Sequence, residues 1–308
     1  MSWRIMTIAL GSLAVFACGV HLRSANAAPR RPPIWRIAQM TILTTAMPAA
    51  HAFYETLLPA GHKTCKGCAK VPENAFLVNG GQSIYLSKAP SPAPANLLAL
   101  VTFATDNLAE LRRYLVAHNI ECNPPANQKG ADRILSVHDP EKHNILFLQQ
   151  PKNLRVGSGE EPEPSFQIIH AGFVVHDRAA EDKFYKDILG FHVYWHGGMK
   201  DGEDNWVDMQ VPDGTDWIEY MLKVPENASH KTLGVMNHIA LGVPDIHKAQ
   251  EQLVKNGWKG GEEPKIGRDG KWQLNLYDPD ETRVELMEFT PTKEPCCSAY
   301  TGPHPRPQ

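Results

Sequence analysis

The chain has 308 residues, which is long enough for two domains of ordinary size. Hydrophobic residues make up 42% of the chain and charged residues 21%, the proportions of a soluble globular protein. The formal net charge of −3 gives no electrostatic reason to expect nucleic acid as a partner, because nucleic-acid-binding proteins usually carry a basic face.

The N-terminal segment has the pattern of a secretory signal. Arg4 precedes an apolar run over residues 5–20, and the segment 25–27, Ala-Asn-Ala, has the small residues that a signal peptidase recognises. We therefore predict that residues 1–27 are a signal peptide and that the protein is exported, to the periplasm or outside the cell. A lipoprotein acylated at Cys18 is the minor alternative. The run is short for a membrane span, and no other apolar stretch is long enough.

Removal of the signal leaves an odd number of cysteines for a compartment that permits disulfides: Cys65, Cys68, Cys122, Cys296 and Cys297. The segment from Cys65 to Cys68 has the spacing of a c-type haem motif, but Ala69 stands where that motif needs histidine. A local disulfide or a redox pair is the better interpretation. A zinc site would need a second such pair, and the overall pairing stays open.

The N-terminal half alternates strands and helices. Residues 37–57 predict a strand followed by a helix that contains Phe53 and Tyr54, and residues 97–119 predict a second strand and helix. The acidic turn at 139–141 then precedes an apolar strand. We predict one domain over residues 35–152.

A glycine- and proline-rich linker is predicted over residues 153–164, and a unit that occurs twice follows it. Residues 168–190 and 236–257 each predict an apolar strand, an aspartate that caps a helix, an amphipathic helix and a terminal glycine. His170 and His238 precede their capping aspartates by seven positions in both copies (177−170 and 245−238).

The strands that close the two units are also alike. Residues 217–221 read WIEYM and residues 283–287 read RVELM. The strand histidine and the closing glutamate are 49 residues apart in the first copy (219−170) and 47 in the second (285−238). This internal duplication predicts a domain over residues 165–290. The proline-rich tail, residues 291–308, is predicted to be disordered.

Four polar residues stand at matching places of this duplication. Glu219 and Glu285 share a strand face with apolar neighbours, and His170 and His238 lie inside apolar strands. A single histidine of this kind would more simply be a hydrogen-bonded core residue. A carboxylate on an apolar face is costly to bury unless it is paired or binds a metal. Two histidines and two glutamates at matching places therefore predict a metal site.

Two imidazoles and two carboxylates suit borderline divalent ions such as Fe, Mn, Ni, Co or Zn. Four protein ligands on an octahedral ion leave two positions for water or for a substrate. Such a site can polarise a carbonyl, stabilise an enediolate or hold a catecholate beside dioxygen. The sequence thus predicts one divalent metal ion of unknown identity and a small-molecule substrate, without nucleic acid or a membrane span. It leaves the oligomeric state open.

Taken together, these segments resemble the vicinal oxygen chelate (VOC) superfamily. The resemblance rests on the strand histidines, on residues 184–191, which read FYKDILGF, and on the acidic turn at 278–280 before the last glutamate. This superfamily includes glyoxalase I, methylmalonyl-CoA epimerase, bleomycin-resistance proteins and extradiol ring-cleaving dioxygenases. The resemblance implies an α+β fold of four βαβββ modules, paired into two glyoxalase-like VOC domains behind the signal peptide.

The resemblance also implies roles for single residues. In glyoxalase I-like proteins each module contributes a ligand from its first strand and one from its last, which here means His170 with Glu219 and His238 with Glu285. The two glutamates are then the candidates for the catalytic base. Extradiol dioxygenases use two histidines and one glutamate, matched here by His170, His238 and Glu285. They also have the four-module layout with a metal-free N-terminal half.

The N-terminal half departs from the ligand pattern of the superfamily. Residues that do not form a ligand cluster stand at the four matching places: Gln39, Ile84, Ala99 and Leu146. We therefore expect residues 35–152 to be a degenerate VOC-like domain without metal ligands. In the fourth module, Gln273 and Asn275 precede the closing turn, where contacts with the pocket are expected.

Three functions are compatible with these features. The leading hypothesis is an exported metal-dependent enzyme of glyoxalase type, in which the ion stabilises an enolate or enediolate in an isomerase, epimerase or lyase reaction. The second is an extradiol-type Fe(II) ring-cleaving dioxygenase. The third is a non-catalytic protein that sequesters a ligand, as bleomycin-resistance proteins do, and the four predicted ligands argue against it.

Overall fold

The computed structural model describes residues 29–58, 72–127, 133–152 and 166–307. The predicted signal peptide, Cys18, the Cys65 and Cys68 pair and the linker at 153–164 lie outside these residues.

The described residues of the N-terminal half form a seven-stranded sheet with two helices. Its strands and helices in chain order are β1 Ile34–Thr44, α1 Met47–Leu57, β2 Ala75–Asn79, β3 Gln82–Lys88, β4 Leu98–Thr105, α2 Leu108–Ala117, β5 Ala126–Asn127, β6 Arg133–His138 and β7 Asn144–Gln149. The spatial order of the strands is β2-β3-β1-β4-β7-β6-β5, so the first strand of each predicted module lies at the centre.

The C-terminal half forms an eight-stranded sheet with three helices. Its elements are β8 Gln167–Val174, α3 Arg178–Asp182, β9 His192–Gly197, β10 Trp206–Gln210, β11 Trp217–Met221, α4 His230–Met236, β12 Ile239–Val243, α5 Ile246–Lys255, β13 Lys265–Ile266, β14 Trp272–Tyr277 and β15 Arg283–Glu288. Helix α3 continues directly into a π-helical turn, Lys183–Ile188. The strand order is β13-β14-β15-β12-β8-β11-β10-β9.

The predicted α+β fold of paired βαβββ modules is confirmed. The second, third and fourth modules begin at β4, β8 and β12, and each has one strand, a helix and three further strands. In the first module the described residues contain β1, α1, β2 and β3. Asp177 and Asp245 cap α3 and α5 through their side chains, as the sequence predicts. No helix among the described residues is long and apolar enough to cross a membrane.

The predicted disorder of the tail is wrong for residues 291–307. Thr301 N–H donates to the carbonyl of Tyr194 (3.0 Å), and Trp195 Nε1–H donates to the carbonyl of Cys296 (3.1 Å). The Tyr300 ring packs against the Tyr194 ring with 4.7 Å between centroids. The proline content suggested disorder, but aromatic packing and backbone hydrogen bonds hold the tail on the second sheet. Within it, Cys296 and Cys297 form a disulfide with each other.

The two halves contact each other through two equivalent junctions. In the first junction, the turn at residues 139–143 packs against α3, and the Glu141 carboxylate accepts hydrogen bonds from the backbone N–H groups of His176 and Asp177. In the second junction, the turn at residues 278–282 packs against α1. There the Asp280 carboxylate accepts hydrogen bonds from Thr44 Oγ1 and Thr45 N. Each half therefore satisfies polar groups that precede a helix of the other half.

Asp216 is the buried centre of a further contact between the halves. Its carboxylate accepts hydrogen bonds from the backbone N–H of Ile37 (2.8 Å) and from the amides of Gln82 (3.1 Å) and Gln167 (3.0 Å). Burial raises the pKa of Asp216 to about 7, although these hydrogen bonds and the positive charge of Arg36 oppose the increase.

This raised pKa predicts a pH-dependent stability. The pKa of Asp216 in the folded chain lies above its ordinary value of 3.8, so the protonated carboxyl group favours the folded state. This contribution to the free energy of unfolding is fully present below about pH 4 and is lost as the pH rises through about 7. Asp216→Asn removes the charge. Gln167, whose Oε1 has no hydrogen-bond partner among the described residues, can turn its amide so that Oε1 accepts from the new NH₂ group. Urea unfolding at several pH values should show that the variant avoids a stability loss of about 2 kcal/mol between about pH 5 and 8. Identical pH profiles for both proteins would contradict this.

Candidate metal centre

The four residues predicted as ligands converge in the middle of the second sheet. His170 lies on β8 and His238 directly precedes β12, and their Nε2 atoms are 3.0 Å apart. The Glu219 Oε2 atom, on β11, is 3.3 Å from His238 Nε2 and 3.7 Å from His170 Nε2. The Glu285 Oε2 atom, on β15, lies 3.5 Å and 3.7 Å from the same two nitrogens. Residues more than 100 positions apart thus form one cluster.

The register of the central strands produces this convergence. β11 is parallel to β8 with Glu219 opposite Gly172, and β15 is parallel to β12 with Glu285 opposite Ala240. β8 and β12 join the two modules as an antiparallel pair. Gly172 leaves the space for the His238 ring, because a Cβ atom at this position would lie 2.0 Å from His238 Cε1.

The charges of the cluster suit metal ligation. Burial lowers the pKa of His170, which favours the neutral imidazole that a metal needs. Burial raises the pKa of Glu285, but the Arg283 guanidinium and the two histidines outweigh it and hold the pKa well below its usual range. Burial by itself would raise the pKa of Glu219, but the two histidines lower it by more, so its pKa lies below the ordinary value. Both glutamates are therefore ionised at neutral pH.

The distances also agree with a shared ion. Two ligand atoms at right angles around one ion, each about 2.1 Å from it, lie about 3.0 Å apart. The separation of the two Nε2 atoms is 3.0 Å, and ligand atoms of His170, Glu219 and His238 all lie within 4.8 Å of one another. The imidazole and carboxylate donors therefore fit a divalent cation of the borderline class, and the ion itself remains a prediction.

A cavity of about 380 Å³ opens above this cluster. Its lining combines apolar and aromatic side chains, among them Trp195, Trp206 and Met287, with polar and charged ones. Gln273 and Asn275, which the sequence placed near the pocket, both line it. Among the ligand candidates, Glu219 has the more exposed side chain, 14% against 4% for Glu285, so a bound molecule has better access to Glu219.

Two ionisable residues next to the ligand candidates were not predicted from the sequence. Arg283 Nη2 lies 2.8 Å from His238 Nε2 and 3.8 Å from Glu285 Oε2. Strand alternation could have identified it, because it precedes Glu285 by two positions and shares its face. Asp208 stands opposite Glu219 on β10 and is buried. Burial and the nearby Glu219 charge raise the pKa of Asp208 well above its usual range, and the Lys271 charge opposes that rise.

Lys271 is the third unpredicted residue and lies beside the cavity. It is fully buried, and its Nζ atom lies 4.7–5.3 Å from the ring centroids of Trp217, Tyr194 and Tyr300. Burial lowers its pKa, and nearby Asp269 and Asp208 oppose that change. No local pattern identifies it, because the rings around it come from three separate segments.

Comparisons with known proteins agree with the fold. Residues 167–286 match the model of the Glyoxalase/Bleomycin resistance protein/Dioxygenase superfamily. A probable chloroplastic lactoylglutathione lyase of Arabidopsis thaliana is 24% identical over 135 residues. These residues are 42% of this chain and 38% of that relative, so the match spans less than half the length of either protein.

Solved structures of two enzyme types have the same fold. The Mn(II)-bound glyoxalase from Novosphingobium aromaticivorans superposes with a TM-score of 0.63 at 16% identity, covering 88% of this chain and 86% of that one. A variant of homoprotocatechuate 2,3-dioxygenase from B. fuscum gives 0.60 at 18% identity, covering 90% and 75%. A catechol 2,3-dioxygenase gives 0.57 at 12% identity, covering 89% and 95%. At these identities the likenesses show the fold alone.

Replacement of two ligand candidates should empty the centre. His238→Ala combined with Glu285→Ala leaves two donors, and metal affinity depends on a complete set of ligands. Elemental analysis of the purified protein should show one equivalent of divalent metal per chain less than in the unaltered protein. Gln39→Ala, at the matching place of the N-terminal half, is the control and should keep the full metal content. An unchanged content in the double variant would contradict the ligand assignment.

Proposed function

Because residues 167–286 belong to the Glyoxalase/Bleomycin resistance protein/Dioxygenase superfamily, we propose that the protein is a divalent-metal-dependent enzyme of glyoxalase type. Its substrate is a small oxygenated molecule with an acidic C–H bond next to a carbonyl, and the reaction is an isomerisation, epimerisation or elimination. The observation that carries this proposal is the second carboxylate, Glu219, which lies 3.3 Å from His238 Nε2. A ring-cleaving dioxygenase needs no ligand at this place.

His170, His238, Glu219 and Glu285 hold the ion in this proposal. A divalent ion held by these residues would polarise the substrate carbonyl and would lower the energy of the negative charge that develops on its oxygen. Trp195 and Trp206 line the cavity, and in this proposal their apolar rings exclude water from part of the substrate.

Glu219 is the proposed general base. It is ionised at neutral pH and lines the cavity, and its side chain is more exposed than that of Glu285. Glu285 is less available because the Arg283 guanidinium faces it. Glu219 takes the proton from the carbon next to the carbonyl, and the same carboxyl group returns it to the neighbouring carbon. Asp208 lies opposite Glu219 and has a raised pKa, so it is our candidate for the group that protonates a substrate oxygen.

Ring cleavage by a dioxygenase is the second candidate. The donors His170, His238 and Glu285 alone are the set that such enzymes use. The described residues of the N-terminal half also form a seven-stranded sheet that lacks ligands at the matching places. The aromatic residues of the cavity could also stack on a flat ring. This candidate requires Fe(II) and makes Glu219 dispensable.

Glu219→Gln separates the two candidates. The variant keeps the shape and a weak ligand oxygen but loses the basic group. We expect retained metal and a turnover lower by roughly two to four orders of magnitude with hydroxy-ketone and hemithioacetal substrates, because general-base removal has this effect. Glu226→Gln, on an exposed turn, is the matched control and should keep full turnover. Full activity of Glu219→Gln, together with oxygen-dependent cleavage of catechols, would establish the dioxygenase instead.

We also propose that the protein is exported and begins at Ala28 after signal cleavage. The apolar run at 5–20 and the Ala-Asn-Ala segment at 25–27 support this proposal. Intact-mass measurement of protein exported by its own signal should give the mass of a chain starting at Ala28. A lipid-modified Cys18 at the new N-terminus would contradict it.

A further inference from the structure

A second group of ligand-type side chains lies at the first junction between the halves. Asp139 and His143 come from the turn between β6 and β7, and Glu181 comes from α3 of the other half. Ligand atoms of the three residues all lie within 4.8 Å of one another. Asp139 and Glu181 are only 2% and 0% exposed, so the cluster belongs to the interior.

The surroundings hold these side chains in place and leave one oxygen without a partner. His143 Nδ1 is 2.7 Å from Asp139 Oδ2, and the His143 ring stacks on Phe173 at 4.7 Å and 8° between planes. The Tyr185 hydroxyl donates to Asp139 Oδ2 (3.0 Å). Glu181 Oε1 accepts from the backbone N–H of Glu141, whereas the buried Oε2 has no hydrogen-bond partner in the described part of the chain.

The charge of this cluster is out of balance. Burial raises the pKa of Glu181 to about 8, and the neighbouring Asp139, Glu141 and Asp177 raise it further. Two carboxylates buried this closely need a proton or a cation between them. His143 can pair with one of them, which leaves the other uncompensated.

The second junction is an internal control for this arrangement. Asp278 corresponds to Asp139, and its Oδ1 accepts from Thr282 N (2.9 Å) as Asp139 Oδ1 accepts from His143 N (2.8 Å). At the places of His143 and Glu181, however, the second junction has Thr282 and Ala50. The turn and the packing of the halves therefore form without a histidine and a buried glutamate. These two residues at the first junction need a different explanation.

We propose that Asp139, His143 and Glu181 bind a second divalent cation, which links the two halves of the chain. One imidazole and two carboxylates suit Zn²⁺, Mn²⁺ or Co²⁺. The cation neutralises the buried carboxylates and gives Glu181 Oε2 its missing partner. Because the ligands come from both halves, the cation stabilises the folded chain without contact with the cavity.

The test uses the His238→Ala and Glu285→Ala double variant, whose first centre is disabled, so its outcome is independent of the proposed enzyme activity. After equilibration with Zn²⁺ or Mn²⁺ and removal of free metal, this protein should retain about one equivalent per chain. Adding Glu181→Gln, which is isosteric, or His143→Thr, which copies the second junction, should abolish it. Thr282→Ser at the second junction is the control and should have no effect.

Thermal unfolding provides a second readout. Metal at about 100 times its Kd should raise the Tm of the double variant by about 5 °C, and the Glu181→Gln protein should not respond. Glu181→Gln alone, in an otherwise unaltered chain, should lose one equivalent, so the result does not depend on the folding of the double variant. Absence of bound metal and of a Tm shift in the double variant would show that a proton neutralises the cluster and would overturn the proposal. Metal retained by both Glu181→Gln and His143→Thr would overturn it as well.

Discussion

The structure depends on the burial of two carboxylates between two imidazoles in the middle of an apolar sheet. Each carboxylate lies 3.3–3.7 Å from both imidazole nitrogens, which are 3.0 Å apart, and little of these four side chains is exposed to water. Removal of a carboxylate from water costs several kcal/mol even after the protein relaxes, unless an opposite charge compensates it. The proposed divalent cation would provide that charge and would use all four donors. The close approach of these groups also requires a glycine at position 172, because a larger residue there would clash with the His238 ring.

The N-terminal half shows what the same architecture does without charged groups in these places. Ile84, at the place of Glu219, is fully buried and belongs to the main apolar core. Side chains of this kind need no compensating ion, so the half can act as a packing partner. It supplies Gln82, whose amide bridges to the backbone of β8 at Ile168 and so fixes the strand that carries His170. The half that lacks donors at the matching places thereby supports the half that has them.

Patterns that repeat within a segment were sufficient to predict the modules and the four central residues. Strand alternation, helix caps and the spacing from histidine to glutamate are local, and the duplication gave each of them an independent second occurrence. Arg283 obeys the same alternation, so its position on the face of Glu285 could have been predicted from the sequence. The tail was misjudged because composition describes the chain in isolation, whereas Tyr300 is held by the Tyr194 ring.

Contacts between distant segments of the chain leave no local pattern in the sequence from which they could be predicted. Lys271 is buried by aromatic rings from three segments, and its burial depends on how the tail crosses the sheet. Asp139 and Glu181 come from different halves, so comparing matching ligand places within modules could not bring them together. The expectation of one ion per chain was based only on the matching places, and the residues of the second cluster do not stand at those places. Charge compensation in the interior, applied to every buried carboxylate, is the physical criterion that reaches both clusters.

The most direct test of the central claim is an anomalous difference map from crystals of the protein loaded with Mn²⁺. The account predicts a strong peak on the second sheet, within bonding distance of His170 Nε2, His238 Nε2 and carboxylate oxygens of both Glu219 and Glu285. A peak bonded to the two histidines and Glu285 but not to Glu219 would contradict the four-donor centre and its proposed base. Absence of any peak at this place would contradict the metal centre itself.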